Sequence, residues 1–83
     1  MRLVLVEWVD SFGCSAQWQE ILEVAPTPLH CQSVGWLAHD TEVCKVIIPH
    51  LSVVGHEHSL QQGCGDMTIP TSAILRMIDL REM

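Results

Sequence analysis

Apolar and polar positions recur along this chain with two periods, and each change of period marks an element. Positions 3 to 9 carry Leu3, Val4, Leu5, Val6, Trp8 and Val9 around a lone Glu7, the pattern of a β-strand covered on both faces. Ser11, Phe12 and Gly13 end that run. Ser15 then stands where it can cap a helix, and Trp18, Ile21, Leu22 and Ala25 follow at i, i+3, i+4 and i+7, which predicts one amphipathic N-terminal helix. Pro26 and Pro28 stop it, because proline lacks the amide donor and biases its predecessor away from helical geometry.

From Gln32 to His39 the alternation sets Val34, Trp36 and Ala38 on one face and Ser33, Gly35, Leu37 and His39 on the other, predicting a strand with a bend at Gly35. Asp40, Thr41 and Glu42 supply a polar turn, and Val43 to His50 returns as the second arm of a hairpin with Cys44, Val46 and Ile48 on a common face. Leu51 to Val54 extends this sheet. Residues 55–66 hold three glycines without an apolar period and read as an exposed loop. Met67 to Pro70 is a short strand whose proline belongs at an edge or a break. Ala73 to Leu80 is the last strand, with Ile74, Arg76, Ile78 and Leu80 alternating against Leu75, Met77 and Asp79.

One strand, one helix and four further strands, with a tight break before the last, predict a mainly β single domain over residues 1–83, a small and strongly bent five-stranded barrel of the SH3-like or Sm-like type. A ferredoxin-like arrangement needs a second helix, and the free length for one, residues 55–66, has a composition that forms helices poorly.

Composition adds three constraints. The chain has 83 residues, 48% of them hydrophobic and 17% charged, too apolar for a disordered segment and too short to bury all that apolar surface alone, so self-association is expected. Ten acidic against four basic residues leave a net charge of −6, the wrong sign for gripping a phosphate backbone. The four cysteines, at 14, 31, 44 and 64, form no C-x-x-C pair and read as free thiols in a reducing cytosol. The apolar start is cut by Glu7 before it reaches the length of a signal-peptide core, and no stretch is long enough for a membrane span.

Ser33-Val34-Gly35-Trp36-Leu37 followed by Asp40, together with Ile69-Pro70-Thr71-Ser72-Ala73-Ile74, resembles the paired signatures of Sm-like proteins. That likeness implies a bent barrel and an RNA-binding ring. Thr71 and Ser72, however, stand where a basic residue would serve a phosphate. Trp8-Val9-Asp10, Trp18, Ser33-Val34-Gly35 and Ile69-Pro70 are in addition similar to a group of small uncharacterised proteins of tailed phages. This resemblance implies a phage-encoded protein acting in the cytoplasm of an infected bacterium.

Catalysis finds no support. There is no G-x-S-x-G, no glycine-rich phosphate loop and no H-E-x-x-H, so neither an enzyme nor a cofactor is expected. His56, Glu57, His58 and Cys64 are residue types that suit zinc, but their spacing matches no standard finger and solvated side chains are the preferred reading, as they are for His30 and His50. Three tryptophans stand out, since Phe12 is the other aromatic residue. Trp18 reads as the buried side of the helix. Trp8 has two readings. In the first it packs in the core while Asp10 closes a turn. In the second Trp8 and Asp10 project together beside Ser11 and Ser33, offering a stacking face and an acceptor to a nucleobase, with Arg76 available for a phosphate from a neighbouring subunit.

These observations favour a non-catalytic homo-oligomer that sequesters a nucleotide-type small molecule, a bacterial immune signal, at clefts between subunits through Trp8, Asp10, Ser11, Ser33 and Arg76. The alternatives are an Sm-like RNA-binding ring, which the charge disfavours, and a structural or partner-binding phage module without a ligand.

Overall fold

The computed structural model describes residues 1–13, 16–52 and 62–81. The chain is mainly β: β1 Leu3–Asp10, β2 Leu29–Asp40, β3 Cys44–Ile48, β4 His50–Leu51, β5 Gly63–Cys64, β6 Met67–Pro70 and β7 Ile74–Asp79. Five of these form one antiparallel sheet in the order β6-β3-β2-β1-β7, while β4 and β5 make a separate two-stranded ribbon. The helical elements among the described residues are two single 3-10 turns, Ile21–Glu23 and Thr71–Ala73.

β1 lies at the centre of the register, opposite β2 from Leu3↔Trp36 to Asp10↔Leu29 and opposite β7 from Val4↔Asp79 to Trp8↔Ile74. Its apolar run is used on both sides. Val4 and Val6 face inward and are fully buried, and with Leu37, Ile47 and Ile69 they form the core. Leu3 and Leu5 face outward, opposite Trp36 and Val34, and are half-buried. The inward row is where Ser33, Gly35 and Leu37 lie, as expected, but the register slips at Ala38, so His39, opposite Val46, falls on the outward side and not on their face.

The hairpin expected at 40–42 forms, and Thr41 explains it. Its Oγ1 donates to the carbonyl of Cys44 at 2.8 Å and accepts the Cys44 amide at 3.0 Å, a side chain standing in for backbone partners in the turn. Asp40 and Lys45 pair across the same end of the ladder.

The edge strands β6 and β7 are consecutive in sequence and joined by Thr71–Ala73. In a flat five-stranded sheet they would lie roughly 19 Å apart, at about 4.8 Å per strand, whereas the link from Pro70 to Ile74 reaches about 14 Å. The sheet therefore curls. Gly35 permits the curl: it is buried, and a Cβ there would meet the Ile48 backbone at 3.1 Å. The Thr71 amide, donating to the Val43 carbonyl at 2.9 Å, ties the link to the hairpin end. Pro70 sits on an edge strand, where a missing amide donor breaks no inner ladder.

Four expectations need correction. The N-terminal helix is not seen among the described residues: its predicted span holds one 3-10 turn there, and Trp18, Ile21, Leu22 and Ala25 are all exposed. A helix of about ten residues with no surface beneath its apolar stripe lacks the packing that normally stabilises it. The proposed cap, Ser15, lies outside the described residues. β2 starts at Leu29 rather than Gln32, immediately after the two prolines. The stretch from Leu51 does not extend the main sheet, because Leu51 pairs with Gly63 in the ribbon, where a loop was expected; Val53 and Val54 lie outside the described residues. Finally, the alternation of the last strand is broken. Glu7 pairs with Arg76 and Trp8 with Ile74, so Leu75 is an inserted bulge residue, and Ile74 and Arg76 fall on opposite faces.

The molecule measures 59 × 28 × 24 Å with a radius of gyration of 17.1 Å, against about 12 Å for a compact chain of this length. Every described residue from Asp10 to His30 is exposed. This segment leaves the sheet at β1 and returns at β2, whose ends, Asp10 and Leu29, are paired. It forms an arm.

Candidate functional site

Trp8 continues the inward row of Val4 and Val6 along β1, and its ring packs against the core beside Ile74, Met77 and Ala73. Its indole Nε1–H donates to Ser33 Oγ at 3.0 Å in a part-buried setting. The two residues come together because the β1–β2 register sets Val6 opposite Ser33 and Trp8 opposite Cys31, one pair further on. With the indole donor satisfied and the ring on the core, this pair has the geometry of a structural contact.

Asp10 closes β1, is exposed, and its Oδ1 accepts the backbone amide of Ser11 at 2.8 Å. Asp10 and Ser11 thus bond each other at the root of the arm. Arg76 belongs to the other face of the sheet: its Nη2 donates to Glu7 Oε1 at 2.8 Å, and Gln32 Nε2 reaches the same oxygen at 3.3 Å. The five residues expected to form one site therefore divide into an inward pair, a strand-end pair and an arginine on the outward face.

The outward face carries the clearest electrostatics. Hydrogen bonding from Arg76 holds the Glu7 carboxyl below its ordinary range, and Glu7 in turn raises the Arg76 guanidinium. On the side of Val4, which pairs with Asp79, Arg2 is likewise raised by its bond to Asp79, Nε donating to Oδ1 at 2.8 Å. Three of the four fixed cations, Arg2, Lys45 and Arg76, are thereby engaged by carboxylates.

One concavity adjoins Glu7 and Trp8 and another lies in the arm. A shallow depression of about 410 Å³ is lined by Glu7, Trp8, His30, Cys31, Gln32 and Leu75. A larger hollow of about 940 Å³ lies within the arm, lined by Phe12, Trp18, Val24 and Ala25 among others. In the arm Trp18 is 103% exposed and Leu22 98% exposed, with Ile21, Phe12 and Val24 also standing in solvent.

No group of three His, Cys, Asp or Glu side chains among the described residues is placed to hold a metal ion. His50 pairs with Cys64 across the ribbon, while His56, Glu57 and His58 lie outside the described residues. Cys31, Cys44 and Cys64 are free thiols. Among the described residues no helix is long and apolar enough to cross a membrane.

Sequence reasoning missed Glu7 and Gln32 as polar partners, and it missed the arm. Glu7 was visible as a lone charge in an apolar run, but its partner lies 69 positions away and no local pattern joins them. Comparison with protein-family models, with curated proteins and with solved structures finds no match to this chain.

Proposed function

We propose that this chain is a non-catalytic, self-assembling β module whose working element is the apolar arm between β1 and β2. The observation that carries this reading is the exposure of Phe12, Trp18, Ile21, Leu22 and Val24 on one continuous excursion from the sheet. Large apolar groups gathered in solvent mark a contact surface, and their burial is the driving force of association. The strand order β6-β3-β2-β1-β7 and the three-residue link between its edge strands support the finer reading of the sheet as a bent SH3-like or Sm-like barrel. On the resemblance to tailed-phage proteins, the module is phage-encoded and acts inside the infected bacterium.

A second reading, sequestration of a nucleotide-type molecule, has one observation in its favour: the depression beside Trp8, where Glu7, His30 and Gln32 supply polar groups. Against it stand the Ser33 acceptor already bonded to Trp8 and the Arg76 guanidinium already bonded to Glu7. An RNA-binding ring has less support still, because the chain carries −6 and three of its four fixed cations are engaged.

Native mass spectrometry separates the readings. Self-assembly predicts species at multiples of the 9.3 kDa chain with no added mass. An oligomer whose mass exceeds the multiple of the chain by a few hundred daltons per cleft, the excess lost on Trp8→Ala, would overturn it in favour of the nucleotide reading.

A further inference from the structure

We infer that two copies exchange arms, each arm seating its Trp18, Ile21 and Leu22 on the outward sheet face of the other copy. This rests on the reading of the chain as a self-assembling module and names the surface that receives the arm.

The receiving face follows from the register. Leu3↔Trp36 and Leu5↔Val34 on one side of β1, and Leu5↔Ile78 on the other, put five apolar side chains on the side of the sheet away from the core. Cross-strand neighbours on one face lie about 5 Å apart, so these five form a continuous patch. Val34, in its middle, is 49% exposed, and Leu3, Leu5, Trp36 and Ile78 are half-buried. A sheet with one wet face alternates apolar with polar residues, whereas β1 is apolar on both faces until Glu7, the pattern of a strand covered twice. In the isolated chain the second cover is missing.

The arm has the complementary surplus. It is rooted at Asp10 and Leu29 and stands clear of its own sheet, with Trp18 and Leu22 fully exposed, so its own face is not its receptor. The charges do not oppose it. The patch is bordered by the Arg76–Glu7 pair, which is neutral as a unit, so the two Glu residues of the arm, Glu20 and Glu23, meet no uncompensated like charge there. The area is sufficient. If the three seated side chains bury about 100 Å² each, two arms and the faces beneath them bury roughly 1,200 Å², at the lower end of standard stable interfaces. A reciprocal exchange uses the same two surfaces on both copies and closes as a two-fold dimer, leaving neither an arm nor a face unpaired.

Sedimentation equilibrium on the full chain tests this with two substitutions, one in each surface. Leu22→Glu lies in the exposed arm and Val34→Glu on the outward face. The wild-type chain is expected to be a dimer, and each substitution to weaken dimerisation by about thirtyfold or more, as for a central interface residue. Val34→Thr keeps the branched shape and is expected to weaken the dimer to a lesser degree, which carries the test if Val34→Glu does not fold. An equal mixture of the Leu22→Glu and Val34→Glu chains restores a heterodimer, because one unaltered arm still meets one unaltered face. Association that responds to Leu22→Glu but to neither Val34 variant, or a mixture that restores nothing, overturns arm exchange and leaves self-assembly standing. A wild-type chain that stays monomeric overturns the self-assembly reading itself.

Discussion

Replacing Ser33 by alanine removes the acceptor of the Trp8 indole and nothing else of substance, so it asks whether that pair is structural. The bond is 3.0 Å long and part-buried. A net hydrogen bond of this kind contributes about 1 kcal/mol, and a stranded donor costs about 1 to 3 kcal/mol, with the low end applying where water reaches the ring. Ser33→Ala should therefore lower unfolding stability by about 1 kcal/mol, a substantial share of the roughly 4 to 12 kcal/mol expected for a chain of this length. Trp8→Phe loses the same bond plus about 50 Å² of ring surface, together about 2 kcal/mol. The double variant then loses less than the sum, with a coupling of about 1 kcal/mol, because the bond can be lost once. Urea titration followed by far-UV circular dichroism measures all four proteins without the ambiguity of three tryptophan fluorophores. Single variants within about 0.3 kcal/mol of wild type and no coupling would refute the structural assignment. Trp8 would then be free to serve a ligand.

Four other outcomes follow from the same geometry. Ile69 is 1% exposed in a core of five buried side chains, so Ile69→Ala should cost about 2 to 5 kcal/mol in the same titration and leave the chain close to unfolded at 37 °C. Gly35→Ala puts a Cβ 3.1 Å from the Ile48 backbone, which cannot step aside as a side chain would, and should destabilise by about 1 to 3 kcal/mol in a thermal melt. The Glu7 carboxyl is lowered by Arg76, so its contribution is present above the ordinary carboxylate range and is lost as pH falls through the lowered value; Glu7→Gln should flatten that acid limb in unfolding curves taken across pH. Each copy carries −6, so added salt should strengthen self-association in sedimentation runs, the opposite of its effect on a nucleic-acid complex.

What the sequence made legible is what short-range chemistry decides. The double-sided apolar run of β1, the polar turn at Asp40 to Glu42 and the edge position of Pro70 each follow from residues within a few positions of one another. What it concealed depends on insertions of a single residue or on distant partners. The bulge residue Leu75 reverses which neighbours share a face, and no composition signal distinguishes it from a regular strand position. Trp8 and Ser33 are 25 positions apart, so their proximity was a matter of register. The candidate site was assembled from residues that share a strand or a loop root in sequence, but the pleat sends Arg76 through to the face opposite Trp8.

The missing helix bears most directly on function. Trp18, Ile21, Leu22 and Ala25 have helical spacing, yet the chain holds only one turn there, Ile21–Glu23. Spacing states which residues would share a face, while stability requires a surface for that face, and a segment this short gains little from backbone hydrogen bonds alone. In the isolated chain no such surface lies beneath the stripe, because the arm stands clear of its own sheet and the core is closed by Val4, Val6, Leu37, Ile47 and Ile69. A partner face would supply what is missing, letting the buried stripe offset the entropy of ordering the arm. The residues that misled the prediction of a helix are thus the ones whose apolar surface the monomer leaves uncovered, and the same physics, a stripe without a partner, accounts for both.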